Sequence, residues 1–383
     1  MTYERLKREI IQYSQTIGID KIGFTTADPF VELKERLRTQ QELNYQSGFE
    51  EQDIEKRTNP KRIMSEAQSI IAIAVAYPSK IKNPPKQDKH HRRGLFSRAS
   101  WGRDYHHVLR ERLKKLEAFI IEREPEAKVT IMVDTGELSD RAVAERAGLG
   151  FVGKNCALIT PEFGSYVYLG EMITNIPFPS DQPVTDSCGD CNICVEACPT
   201  GALVQGGQLD AKKCLAFLTQ TKGFLPDEYR EKIGNRLYGM DTCQAVCPRN
   251  RGIDFHLHPE LEPDPETAMP TLKSLLKMSN REFQERFGHI SGSWRGKKPI
   301  QRNAILALAQ YKDESAVDDL IDLMEHDPRP VIRGTAAWAL GKIGVPKAES
   351  ALKLAKEKEQ DQDVLDEIEK GLNILKTESN MNV

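Results

Sequence analysis

Cys188-Gly-Asp-Cys191-Asn-Ile-Cys194-Val-Glu-Ala-Cys198-Pro199 is the stretch whose reading decides the class of this protein. Its spacing is C-x2-C-x2-C-x3-C-P. Three close thiolates can wrap one four-iron cube, while the turn before Pro199 carries the fourth thiolate away to a second cube. Zinc needs only paired C-x2-C knuckles, so the third cysteine is surplus to it. Seven of the eight cysteines fall within one segment of about 60 residues, crowding that suits metal better than a disulfide framework a reducing compartment would not keep.

A second run, Met240-Asp241-Thr242-Cys243-Gln244-Ala245-Val246-Cys247-Pro248, repeats the tail of the pattern, and Cys214 lies between the two. Crossing of the fourth ligand assigns Cys188, Cys191, Cys194 and Cys247 to one [4Fe–4S] cluster, and Cys198, Cys214 and Cys243 to the other. The second set is one ligand short, and the register places the gap at Met240. The thioether of Met240, the carboxylate of Asp241, a water or Cys156 completes that iron, or the cluster holds three irons. Cys156, in a strand-like segment, reads more simply as a small buried hydrophobe. Two clusters make a one-electron wire, so another part of the chain must hold the substrate.

Upstream, Leu6, Ile10, Ile11 and Ile17 recur at helical spacing, and Ile70 to Tyr77 is a continuous apolar run ending at Pro78, the pattern of a buried strand. A further strand, Lys128 to Val133, delivers Asp134 to its end, followed by the turn Thr135-Gly136. Gly148 to Gly153 matches G-x-G-x-x-G, but a helix pattern (Ser139 to Ala147) precedes it where a dinucleotide site needs a strand. Those glycines read as a helix stop and a loop able to approach a flat ligand. Asp104-Tyr105-His106 begins the D-x-H-x-x-G pattern for histidine ligation of cobalt and fails at Leu109, so His106 and His107 read as a surface helix.

Downstream, Pro259, Pro263, Pro265 and Pro270 mark a linker. A shift of 32 positions lays Ala304 on Ala336, Ala307 on Ala339, Leu308 on Leu340, Ala316 on Ala348 and Leu320 on Leu352, an internal repeat of paired helices like the HEAT unit. Between linker and repeat, Arg281, Arg286, Arg295, Lys297, Lys298 and Arg302 interleave with Phe283, Phe287 and Trp294, a set suited to phosphates and unpaired bases. The net charge of −3 confines any nucleic-acid surface to such a patch. Apolar runs fall short of the ~20 residues of a membrane helix, and the charged amphipathic start is unlike a secretory leader, so a cytoplasmic location is expected. The fold class expected is α+β and multidomain. Residues 1–178 form an α/β catalytic domain and 179–258 a ferredoxin-like two-cluster domain; 259–299 are linker and basic segment, and 300–383 HEAT-like repeats.

Taken together, Val133-Asp134-Thr135-Gly136, Gly153-Lys154-Asn155, Phe163-Gly164-Ser165, Leu169-Gly170-Glu171, the cysteine runs and Ser293-Trp294-Arg295-Gly296 resemble the epoxyqueuosine reductase family over nearly the whole chain. The resemblance implies a cobalamin enzyme related to reductive dehalogenases, with the cofactor bound base-off and no protein histidine on cobalt. Its implied substrate is a tRNA anticodon stem-loop carrying epoxyqueuosine at the wobble position. Met240 departs from the family's eight-cysteine set. Deoxygenating an epoxide takes two electrons and two protons. Low-valent cobalt refilled through the clusters suits the electrons, and Asp134, whose pKa a pocket beside the large apolar corrin would raise by desolvation, is the expected proton donor. Arg57, Ser97, Asp134, Lys154 and Leu169 are the expected cofactor contacts, with Tyr105 and Arg141 beside them. Arg281, Gln284, Trp294, Arg295, Lys297, Lys298 and Arg302 are the expected tRNA contacts, and the wobble base must be splayed from its stack. A low-potential flavodoxin or ferredoxin would supply electrons to a monomer. Rival readings are a dehalogenase-like enzyme for small molecules, a ferredoxin-type carrier without corrinoid, and a zinc-stabilised RNA-binding module.

Overall fold

The computed structural model describes residues 2–381. Two compact units emerge, each discontinuous in sequence: one gathers Met1–Lys80, Gly102–Cys214 and Asp241–Glu262, the other Ile81–Trp101, Leu215–Met240 and Pro263–Val383.

The first unit is built on the apolar run, which forms the strand Ser69–Ala76 with every residue buried. It pairs antiparallel with Lys21–Thr26 on one side and with Val167–Thr174 on the other, and Val129–Met132 completes the sheet beyond Val167–Thr174. Helices cover both faces, which is why the central strand is continuously apolar rather than alternating. Leu109 and Leu113 of the helix Tyr105–Arg123 lie over Gly170. Val143 and Ala144 of the helix Asp140–Arg146 pack on the opposite face with Ala72, Ala74 and Ile173. By strand alternation, Leu169 and Glu171 share that second face.

The second unit is held by polar ties inside an apolar core. Asn303 donates its amide to Thr219 O and Leu237 O at 2.9 and 2.8 Å. Leu95–Phe96 pairs in parallel with Arg236–Tyr238, and Arg230 meets Glu367 through two hydrogen bonds in a buried ion pair. The helices Lys297–Gln310, Val317–His326, Pro330–Ile343, Pro346–Lys358 and Gln362–Met381 follow. All ten residues matched by the 32-residue shift are fully buried. Gly341 and Gly371 let two of these helices touch backbone to backbone, since a Cβ on Gly341 would stand 2.4 Å from Gly371.

Four sequence expectations change. Arg302 is 1 % exposed and spends its guanidinium on Leu218 O, Thr221 O, Gly223 O and Asn303 Oδ1, so it cannot reach an RNA phosphate. Phe283 and Phe287 are buried in the helical core, whereas Trp294 is 54 % exposed, with its indole N–H on Gln220 Oε1. Cys156 is half-buried in a left-handed turn (φ +62°), not in a strand. Gly148 does stop its helix with a positive φ, but its neighbours are the chain itself: Gln182 O crowds Gly148 and Ile159 O crowds Gly150, leaving no role for these glycines against a ligand.

Arg302→Ala would take a donor from the carbonyls of Leu218, Thr221 and Gly223 and empty a buried site, and is expected to lower unfolding stability by roughly 3 kcal/mol. A urea midpoint within error of wild type would contradict this.

Candidate functional site

Val133 ends its strand and the chain turns at once. Asp134 adopts φ +54° at the centre of a three-residue turn, with Thr135 N donating to Val133 O at 2.5 Å. Its side chain is 61 % exposed and meets the first turn of the helix Tyr105–Arg123. That helix is capped by Asp104, whose carboxylate accepts from His106 N at 3.0 Å. The same carboxylate lies 2.7 Å from His106 Nδ1, and His106 Nε2 lies 3.3 Å from Asp134 Oδ2. Tyr105 hydrogen-bonds Asp134 as well and stacks on Tyr168 with centroids 4.5 Å apart.

Burial alone would push His106 down, but its two carboxylate partners raise it to about 9. The hydrogen bond from His106 holds Asp134 below the usual carboxylate range against the opposing effect of burial. In the surroundings that the chain itself provides, the histidine hydrogen bond outweighs desolvation at Asp134, a direction opposite to the rise expected beside an apolar corrin. Sequence reading passed over His106 and Asp104. The only signal was an acid two residues before a histidine at a helix start, which has the same form as an ordinary cap.

Beneath the turn, Asp134 N donates to Asp140 Oδ2 at 2.8 Å, and Arg110 Nη2 donates to Thr135 Oγ1 at 2.9 Å. Arg57, on the helix Ile54–Thr58, faces Glu50, Arg141 and Asp140, and burial lowers its pKa. Arg141 donates to Cys156 O and acts electrostatically on Asp134. Leu169 packs against the apolar face below. Lys154 Nζ donates to Asn192 Oδ1 at 2.9 Å. Asp134, Tyr105, Arg57, Arg141, Lys154 and Leu169 all belong to the first unit, whereas Ser97 belongs to the second, buried with its N–H on Tyr238 O.

The cysteines fall into two electrostatically coupled sets. Burial raises Cys194, and so do Cys188 and Cys247; burial raises Cys247, with Cys188 and Cys191 adding to it. Burial pushes Cys243 up to about 12, with Cys214, Cys194 and Cys198 among its neighbours. Cys194 thus couples to members of both sets that the crossing rule assigns. The short helices Ile193–Glu196 and Thr242–Ala245, one from each run, pack together. Backbone N–H groups aim at sulfur: Lys154 N reaches Cys188 Sγ at 3.4 Å, and those of Leu203, Thr200 and Ala202 lower Cys198 against the effect of burial. Such donors favour thiolate. Among the described residues, no three His, Cys, Asp or Glu side chains converge on one point where a single ion would sit. Cys156 couples to Cys214. Met240 belongs to the second unit and packs on its apolar core.

Of the expected RNA contacts, Arg281 is 87 % exposed in its side chain and paired with Glu285, and Gln284 is exposed. Arg295 lies over the Trp294 ring and donates to Gln220 O. Lys297 donates to Met278 O, and Lys298 is half-buried.

Three family models match: "Epoxyqueuosine reductase QueG, DUF1730" over residues 57–135, "4Fe-4S double cluster binding domain" over 187–250, and "HEAT repeats" over 295–373. The chain is 67 % identical to an epoxyqueuosine reductase of Bacillus anthracis, across 98 % of this chain and 99 % of that one. It is 64 % identical to that of Bacillus subtilis, across 98 % and 97 %. Among solved structures, an epoxyqueuosine reductase with an epoxyqueuosine-modified tRNA-Tyr stem loop matches at TM-score 0.96 and 64 % identity, covering 98 % of this chain and all of that one. A Bacillus subtilis epoxyqueuosine reductase with its Asp134 catalytic loop swung out of the active site matches at TM-score 0.96 and 63 % identity, with the same coverage.

His106 stands at about 9 against an ordinary 6.5, so its ion pairs stabilise fully below about 6.5 and that contribution is lost as pH rises through about 9. His106→Gln should therefore lower Tm at about pH 6.5 and by progressively less toward about pH 10. A Tm difference that is flat across this range would contradict the pairing.

Proposed function

The chain belongs to the epoxyqueuosine reductase family, and from this membership and the site geometry we infer that it reduces epoxyqueuosine to queuosine in tRNA. The carrying observation is the Asp104–His106–Asp134 chain at a strand end, in a protein that also groups its cysteines into two cluster-binding sets. A relative solved with a modified tRNA stem loop matches over nearly the entire chain and supports tRNA as the partner. A small-molecule dehalogenase and a non-catalytic carrier are not favoured, because end-to-end relatives at high identity carry the reductase name.

Reducing the epoxide to an alkene breaks two C–O bonds, consumes two electrons and two protons, and releases the oxygen as water. No amino-acid side chain supplies electrons of that potential. Cobalamin, when bound, supplies a two-electron reductant, and the clusters pass electrons to it singly. The residues fit a corrinoid held without histidine on cobalt: both His106 nitrogens face carboxylates, so neither offers a lone pair to a metal. Arg57, Arg141, Lys154, Tyr105 and Leu169, all of the first unit, are the contacts we assign to it. Asp134 delivers the proton held between it and His106 to the opening epoxide oxygen. Tyr105 keeps the carboxyl oriented, and Asp104 keeps the imidazole charged and aimed.

Arg281, Gln284, Trp294, Arg295, Lys297 and Lys298 form the RNA surface in this reading, with Trp294 as the stacking platform. The parts 1–178, 179–258, 259–299 and 300–383 then serve catalysis, electron transfer, RNA contact and RNA clamping. The enzyme acts as a cytoplasmic monomer refilled by a flavodoxin or ferredoxin, and no helix among the described residues is long and apolar enough to cross a membrane.

The deciding experiment is anaerobic turnover of an epoxyqueuosine stem-loop by cluster-reconstituted protein, followed by mass spectrometry. Conversion that requires cobalamin is expected, and its absence from fully loaded protein would overturn the assignment. Asp134→Asn should lower kcat by about 100-fold or more with stem-loop Kd within about threefold of wild type. Arg281→Ala should reduce the salt slope of RNA binding by about one phosphate contact, as read by anisotropy at several salt concentrations.

A further inference from the structure

Glu171 lies in the middle of a strand paired on both sides, opposite Ala72 and Met132, and is 1 % exposed. Neither of its carboxylate oxygens meets a hydrogen-bond donor of the protein. An acid in such a place costs stability unless it is neutral or serves something. What faces it is a second acid: Asp140, at the start of the helix packed on that face of the sheet, couples to Glu171 and to Asp134. Asp140 in turn accepts the backbone N–H of Asp134 at 2.8 Å. One end of this chain is therefore buried in the sheet and the other holds the residue that meets the substrate.

We propose that Asp140 and Glu171 form a carboxylate–carboxyl pair that latches the Asp134 turn in its left-handed conformation. Both are positioning residues. The inference rests on the functional reading above for its purpose, but not for its chemistry.

Two facing carboxylates in a closed sheet face cannot both be ionised without a cation between them. Arg57 faces Asp140 from the neighbouring helix, and Arg141 faces Asp134. The interactions of Glu171 are with the acids Asp140 and Asp134 alone. The single negative charge therefore settles on Asp140 and the proton on Glu171, in agreement with burial raising Glu171 well above the carboxylate range and Asp140 only to about 6. A carboxylate is the stronger acceptor for the Asp134 amide, and the protonated Glu171 is the donor that keeps Asp140 in place. Asp134 needs such a hold, since a non-glycine residue at φ +54° reverts to the extended region unless its surroundings over-determine it.

The test is amide hydrogen exchange of the 132–138 segment in full-length, cluster-reconstituted protein, with the strand Val167–Thr174 as a folding control. It needs neither RNA nor cobalamin, so its result is independent of whether the substrate assignment holds. Asp140→Ala should speed exchange at Asp134 by about 10- to 100-fold while the control strand keeps its protection. Glu171→Ala should do the same, and Glu171→Gln, which keeps a donor and cannot ionise, should restore protection. In turnover, Asp140→Asn should lower kcat by about tenfold with KM within about twofold, the signature of a misplaced group rather than lost binding. Wild-type exchange in Asp140→Ala, or a loop as open in Glu171→Gln as in Glu171→Ala, would overturn the latch.

Discussion

The strand Val167–Thr174 is hydrogen-bonded on both sides along half its length and covered on both faces, and it leaves no room for an uncompensated charge. Glu171 occupies its centre nevertheless. That constraint spreads outward: Asp140 must face Glu171, the helix carrying Asp140 must begin there, and the turn that precedes it must bring the Asp134 amide down onto the Asp140 carboxylate. On the other face, Gly170 admits Leu109 and Leu113 closely. This seats the helix whose first turn presents Asp104, Tyr105 and His106 to the same aspartate.

Charge in this site is arranged so that neighbouring acids do different work. Asp134 and Asp104 share the His106 cation and stay ionised, whereas Glu171 has only acids for company and keeps its proton. Three carboxyl groups thus separate into two roles through the partner that each one meets. The cysteines show the same dependence on neighbours: sulfur coupled to sulfur raises the cost of thiolate at Cys194 and Cys247, and backbone donors lower it at Cys198.

In the helical unit the same logic turns basic residues into scaffold. Arg302 and Arg230 lie in one basic segment and one helix end, yet both are buried, one on carbonyls and one on Glu367. Trp294 and Arg281 nearby remain at the surface. For the arginines, the partners each one meets on folding, carbonyls for Arg302, Glu367 for Arg230 and the exposed Glu285 for Arg281, separate scaffold from surface.

The cysteine spacing, the buried strand Ser69–Ala76, the strand that delivers Asp134 and the 32-residue helical repeat were legible along the chain, because each is a periodicity or a short covalent distance. So was the double-cluster character of the cysteine segment, since the run of four cysteines ending in Pro199 is a pattern of spacing alone. His106, Asp140 and Glu171 were not legible. Their roles come from contacts across 28, 6 and 31 positions of sequence, made by strand register and helix seating. Burial likewise decided that Arg302, Phe283 and Phe287 face inward, and the His106 hydrogen bond, against burial, decided that the pKa of Asp134 moves down, because a pKa or an exposed face belongs to the neighbours a residue acquires on folding rather than to the residue itself.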